Sequence, residues 1–238
     1  MNAETARTLP IGVFDSGVGG LTVLKAIREA LPREDLVYLG DTARLPYGTK
    51  SPTSISRYAC QATRRLQEQG IKLLVVACNT ASAVALDALR EQMSPLPVIG
   101  VVDPGATAAV NAVAGGTHLV LATEATVRLG AYTRAITARD QDAHVNELAC
   151  EMLVALAEEG WTDGDIAIAI VRRYLDQLDG NRSAADCVIL GCTHFPLLRN
   201  AIAAALANGT TLVDSARTTA SAGAGVLAEL GLANEQPP

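Results

Sequence analysis

The stretch LLVVACNTASA, residues 73 to 83, decides how this chain is read. Five apolar residues in a row, Leu73 to Ala77, suit a strand buried on both faces. A thiol, an amide and a hydroxyl then arrive together as Cys78, Asn79 and Thr80, followed by small helix formers. Apolar strand, polar turn, helix is the repeating unit of an α/β fold built on a mostly parallel sheet. The layout recurs in CVILGCTHFPLL, residues 187 to 198, with Cys192, Thr193 and His194 in the polar turn.

Outward from these two stretches, further strands are expected at 10–14, 36–39, 98–102, 118–122, 145–149 and 211–214, with Ala-rich helical stretches between them. Upstream of each cysteine, IGVFDSGVGGLTVLKAI and LVLATEATVRLGAYTRAI also match in outline: strand, polar turn with hydroxyls, helix. The economical reading is two similar α/β halves, residues 1–100 with 214–238 and residues 101–213. Sheets of this kind take ligands at the C-terminal ends of their strands, so the cleft between the halves is the expected site.

Composition narrows the classes. The chain has 238 residues, 49% of them hydrophobic, enough for a sizeable core. The net charge is −6 with no basic cluster, which argues against nucleic acid as a partner. The N-terminal MNAETARTLPIGVF has no apolar run after a basic start, and no segment suggests a membrane span. Five cysteines, an odd number, fit free thiols in a reducing cytoplasm better than a disulfide framework. Cys187 and Cys192 point to opposite faces of their strand and do not suit one metal, and Cys192 with His194 lacks further ligands at zinc spacing. The tail ANEQPP reads as frayed.

Cys78 and Cys192 each sit at a strand end just before a helix. Free amide groups and the helix dipole favour a thiolate there, and Asn79 or Thr80 is placed to cap the helix. His194, two residues past Cys192, suits orientation or proton exchange. Cys60, Cys150 and Cys187 read as interior, structural cysteines. DSGVGG, residues 15 to 20, has neither Gly-Lys-Ser/Thr nor a third glycine at the dinucleotide spacing, so it reads as a turn exposing Asp15 and Ser16. GDTARLPYG, residues 40 to 48, is a second polar loop after a strand, equally readable as a plain surface turn. Two thiols in matching halves suit inversion of a carbon bearing one weakly acidic hydrogen, with a base on one face and an acid on the other.

At these residues the chain resembles the glutamate racemases of the cofactor-independent aspartate/glutamate racemase superfamily. GVFDSGVGGLTVL, YLGDTARLPYGTKS, VVACNTASA and VILGCTHFPLL all read as family motifs in family order, and the resemblance runs from about residue 11 to 215. It implies two flavodoxin-like domains and, as catalytic thiols, Cys78 acting on D-glutamate and Cys192 on L-glutamate, assisted by Asp15 and His194. It implies substrate contacts from Asp15, Ser16, Pro46, Tyr47, Gly48, Asn79, Thr80, Thr123, Thr126, Thr193 and His194, with Asp41 and Glu158 as further acidic positions. It further implies no pyridoxal phosphate and no metal, glutamate as the small-molecule partner, a cytoplasmic homodimer and a part in peptidoglycan synthesis. Three positions depart from the pattern: Ala122 stands where Gly is usual, Glu151 where Pro is common, and Asp103 where Glu is usual. Related enzymes act on aspartate, hydantoins or maleate. A thiol hydrolase and a two-lobed binding protein remain as alternative classes; the former needs one activated cysteine with a histidine, which Cys78 lacks in its motif.

Overall fold

The computed structural model describes residues 3–178 and 185–235. The chain divides into two compact units, residues 1–101 with 216–238 and residues 102–215.

In the first unit, α1 (Ala3–Thr8) precedes β1 (Ile11–Asp15), α2 (Leu21–Ala30), β2 (Leu36–Gly40), a 3₁₀ turn over Tyr47–Thr49, α3 (Pro52–Glu68), β3 (Leu73–Val76), α4 (Asn79–Met93) and β4 (Val98–Gly100). Its sheet has the order β2-β1-β3-β4 and every pairing is parallel. Alternation along β3 explains why the run is apolar throughout. Leu74 and Val76 join Phe14, Leu66, Ala81 and Leu89 in one core, while Leu73 and Val75 join Ile11, Val13, Val23 and Ile27 in another. Local signals set the helix ends: Ser51 Oγ accepts the Ser54 N–H ahead of Pro52, and Gly70, at φ +73°, lies just past the end of α3.

The second unit begins at α5 (Val102–Ala112) and continues through β5 (Thr117–Ala122), α6 (Glu124–Arg128), α7 (Ala131–Thr137), β6 (His144–Ala149), α8 (Glu151–Glu158) and α9 (Gly164–Leu175). It ends with β7 (Cys187–Gly191), a 3₁₀ turn over Phe195–Leu198, α10 (Arg199–Ala205) and β8 (Thr211–Asp214). Its order, β6-β5-β7-β8, repeats the first sheet strand for strand, again wholly parallel. Both follow the start of the flavodoxin-like order. Cys78 and Cys192 therefore follow corresponding strands, β3 and β7, as the repeated motifs suggest.

The last helix, α11 (Ser215–Glu229), returns to the first unit, where Ala216, Ala220 and Leu227 complete the core under β1 and β3.

Some local expectations change. The strand expected over 98–102 stops at Gly100, and Val102 already begins α5. TVRLGAYTRAI is two helices, because Gly130 at φ +56° breaks it between α6 and α7. Nor does the tail fray at its start: Asn234 N–H donates to Glu34 Oε1 at 2.8 Å, and its amide donates to Arg33 O at 2.9 Å. Residues 236–238 of ANEQPP lie outside the described residues.

Candidate active site

In the first unit, β1, β2 and β3 deliver their C-terminal ends to one edge of the sheet, and the predicted residues gather there. Cys78 is itself the cap of α4, its Sγ accepting the Ala81 N–H at 3.4 Å, which corrects the expectation that Asn79 or Thr80 caps the helix. The thiol also donates to Ser16 Oγ at 3.2 Å. Asn79 and Thr80 are the first residues of α4 and are buried.

Asp15 ends β1 and is 1% exposed, so DSGVGG does not expose it to solvent. Its Oδ2 accepts the Gly17 N–H at 2.9 Å, tightening the turn. A Cβ at Gly20 would stand 2.5 Å from that of Asp15, so glycine is required for the helix to start so near the carboxylate.

Burial pushes the Cys78 thiol up to about 11, the Asp15 carboxylate pushes it the same way, and bonds from Ser16 and Ala81 pull it partly back. This corrects the expectation of a thiolate favoured by the helix start, because burial outweighs the amide groups: a thiol so raised is protonated at neutral pH and becomes a strong base once ionised. Iodoacetamide labelling of Cys78 in the free protein is expected to climb about tenfold per pH unit from neutrality to about pH 10. Asp15→Asn shifts that curve to lower pH. A labelling rate that levels off near the ordinary thiol value of about 8.5 contradicts this account.

The loop after β2 is no plain surface turn. Tyr47 and Gly48 are buried, and the Tyr47 hydroxyl donates to Asp41 Oδ2 at 2.6 Å. Arg44 Nε lies 3.0 Å and 2.7 Å from the two Asp41 oxygens, and its guanidinium stacks 4.7 Å from the Tyr58 ring centre. Asp41 thus anchors the loop that carries Pro46, Tyr47 and Gly48. Burial, followed by the bond to Asp41, raises the Tyr47 phenol far above its usual range.

Tyr38 escapes the sequence reading because it lies inside the apolar run LVYL on β2. Its hydroxyl donates to Gly17 O at 2.8 Å, and burial with the nearby Asp15 and Cys78 charges raises its phenol strongly.

In the second unit, Cys192 follows β7 and is 6% exposed. His194 Nδ1 lies 3.7 Å from its Sγ, and His194 Nε2 lies 3.1 Å from Glu158 Oε1. The imidazole therefore links a thiol to a carboxylate from α8. Thr193 is buried between them in sequence, and the Thr123 and Thr126 hydroxyls meet at 3.2 Å at the end of β5.

The departures each find a structural place. Ala122 is buried where β5 ends, beside Gly191. Glu151 Oε1 accepts the Glu124 N–H at 2.5 Å, next to the Thr123–Thr126 pair. Asp103 pairs with Arg139 at 3.0 Å.

Cys150 is not in an element interior: it stands at the N-terminal cap position of α8 directly after β6, as Cys78 does before α4, but its side chain makes no cap hydrogen bond. Its Sγ, however, donates to Leu148 O at 3.5 Å, and burial, with the neighbouring Glu151 charge, pushes it up to about 12. Among the described residues, no group of three or more His, Cys, Asp or Glu side chains is placed to hold a metal ion, and no helix is long and apolar enough to cross a membrane.

Taken by itself, this is an α/β protein of two like units, each presenting a cysteine at the turn after its third strand. The Asp/Glu/Hydantoin racemase profile matches residues 11–223, and the chain belongs to that family. It is 50% identical over 210 residues to the glutamate racemase of Geobacter metallireducens, covering 88% of this chain and 77% of that one. Glutamate racemase from Thermus thermophilus, solved with beta-chloro-D-alanine, superposes with a TM-score of 0.86 at 45% identity, over 97% of this chain and 84% of that one. The Francisella tularensis glutamate racemase, solved with D-glutamate, superposes at 0.89 with 36% identity, over 97% and 85%.

Proposed function

We propose that the protein is a glutamate racemase that exchanges the α-proton of glutamate between Cys78 and Cys192, using neither pyridoxal phosphate nor a metal ion. The observation that carries this reading is the pair of thiols at equivalent turns of two like units, Cys78 beside Asp15 and Cys192 beside the His194–Glu158 pair.

Starting from D-glutamate, the Cys78 thiolate takes the α-proton, the C–H electron pair passes to the carbon, and the Cys192 thiol gives its own proton to the opposite face. The product is L-glutamate, with Cys78 now a thiol and Cys192 a thiolate. The reverse reaction runs the same steps backwards. Asp15 has a second part in this scheme. Burial first, and then its charge, keep Cys78 protonated in the free enzyme, and the substrate ammonium, once paired with Asp15, removes the second of these obstacles to ionisation. His194, held by Glu158, plays the corresponding part for Cys192 by giving or taking a proton at Sγ. The side chains of Ser16, Asn79, Thr80, Thr123, Thr126 and Thr193, with the Pro46–Gly48 loop, bind the two carboxylates and exclude water from the developing carbanion. D-glutamate made this way serves peptidoglycan synthesis.

Glutamate is favoured over aspartate because the relatives between 36% and 50% identical carry that name. The test is circular dichroism of L- and D-glutamate and of both aspartates, with chelator present and no pyridoxal phosphate. Ellipticity from either glutamate enantiomer is expected to decay to zero, far faster than from aspartate. Activity that requires added cofactor, or a preference for aspartate, overturns the reading. Folded protein that incorporates no α-deuterium from D₂O supports a binding protein instead.

A further inference from the structure

The carbonyl two residues upstream of each thiol meets a buried serine hydroxyl. Ser82 Oγ donates to Val76 O at 2.9 Å and accepts the Val101 N–H at 3.2 Å. Ser215 Oγ donates to Leu190 O at 2.8 Å. Ser82 is 6% exposed and Ser215 is fully buried.

The two places correspond. Val76 pairs with Gly100, the last residue of β4, and Leu190 pairs with Asp214, the last residue of β8. One residue further along each edge strand, a serine hydroxyl reaches the strand that carries the thiol: Val101 N–H donates to Ser82 Oγ, and Ser215 is itself the next residue after Asp214. The hydroxyls come from different parts of the chain: Ser82 belongs to α4, whereas Ser215 directly follows β8. Room is made for the first of them, since a Cβ at Gly100 would stand 2.9 Å from Ser82 Oγ. These are also the two points at which the chain leaves one unit for the other, 101 to 102 and 215 to 216.

We infer that Ser82 and Ser215 are positioning residues, latches that tie each crossover to the strand delivering a thiol and so hold Cys78 and Cys192 at fixed reach. The inference rests on the two-thiol reading above. Neither serine needs to touch substrate. Each hydroxyl donates to a buried strand carbonyl two residues from the thiol, and its loss takes that donor away. Proton transfer is steep in distance, so a small drift of the turn falls on the chemical step of the nearer thiol.

The test uses Ser82→Ala and Ser215→Ala in the full chain, with kcat/KM measured on D- and L-glutamate and on their α-deuterated forms. In each variant kcat/KM is expected to fall about tenfold in both directions, as the equilibrium between enantiomers demands, with KM changed much less. The isotope effects separate the two sites. Ser82→Ala raises the isotope effect on D-glutamate, whose deuterium passes to Cys78, and lowers that on L-glutamate. Ser215→Ala does the reverse, and Ser→Thr, which keeps the hydroxyl, restores the parent values. Lower melting temperatures with unchanged isotope effects would assign both serines a purely structural role and overturn the latch. The sites are tested separately, so an alanine variant that fails to fold leaves the other to decide. If the parent enzyme racemises neither enantiomer, the two-thiol reading itself fails, and the latch with it.

Discussion

Cys78→Ala is expected to lower kcat/KM for both glutamate enantiomers by at least about 10³-fold, and Cys192→Ala to do the same. Under the proposed mechanism the loss is symmetrical, because each thiol would serve once as base and once as acid and neither direction could run on one of them. A positioned acid or base contributes about 10²- to 10⁴-fold, and the α-hydrogen of an amino acid is acidic too weakly for water to stand in. Circular dichroism of the glutamate pool is the measurement, with far-ultraviolet spectra to confirm folding. Cys78 and Cys192 are 5% and 6% exposed, and truncation to alanine removes one sulfur, at Cys78 together with its cap on α4, which is why the folding check accompanies the assay. A Cys78→Ala protein with more than about a tenth of the parent rate would eliminate the two-thiol mechanism. A thiol hydrolase predicts another pattern, because only the cysteine beside His194 would then matter.

The second large effect concerns stability. Lys72 and Glu34 form an ion pair with side chains 1% and 2% exposed. The Lys72 ammonium also donates to the carbonyls of Arg7 and Leu232, and Glu34 Oε1 accepts the Asn234 N–H at 2.8 Å. The pair therefore joins the residue before β3, the loop before β2, the end of α1 and the C-terminal segment. Lys72→Ala strands a buried carboxylate and leaves two carbonyls without this donor. The expected cost is about 3–5 kcal/mol, or a fall in melting temperature of about 10 °C for a chain of this size. Replacing both partners with apolar residues of similar volume, Lys72→Met with Glu34→Leu, should recover much of the loss, because no unpaired charge remains. Thermal unfolding followed by circular dichroism decides the matter. A single Lys72→Ala variant within about 1 kcal/mol of the parent would show the pair to be of little consequence.

The β/α alternation and the two thiol turns were legible because they are written locally. Strands of three to six residues differ in period from the helices between them, and a cysteine ending such an apolar strand stands out in any window. What was not legible depends on contacts distant in sequence. Asp15 looked exposed in a glycine turn, and only the packing of β2 and α2 around it buries it. Tyr38 looked like one more strand residue, because nothing in LVYL reveals that its hydroxyl reaches Gly17. Gly130 lay inside a helical pattern, and its left-handed backbone shows only in the break between α6 and α7. Ser82 and Ser215 are small polar residues in helical surroundings, where a serine carries no signal of its own. Cys150 shows the limit from the other side: its turn resembles that of Cys78, yet its thiol is spent on the Leu148 carbonyl.

The return of α11 to the first unit has a consequence for how the molecule comes off the ribosome. Residues 102–215 are continuous, so the second unit has its whole core in hand before synthesis ends. The first unit, although translated earlier, waits for Ala216, Ala220 and Leu227 to close the far side of β1 and β3. The half begun first is thus the half finished last. A nascent chain stalled before residue 216 carries one completed unit and one still open along Val13 and Val75.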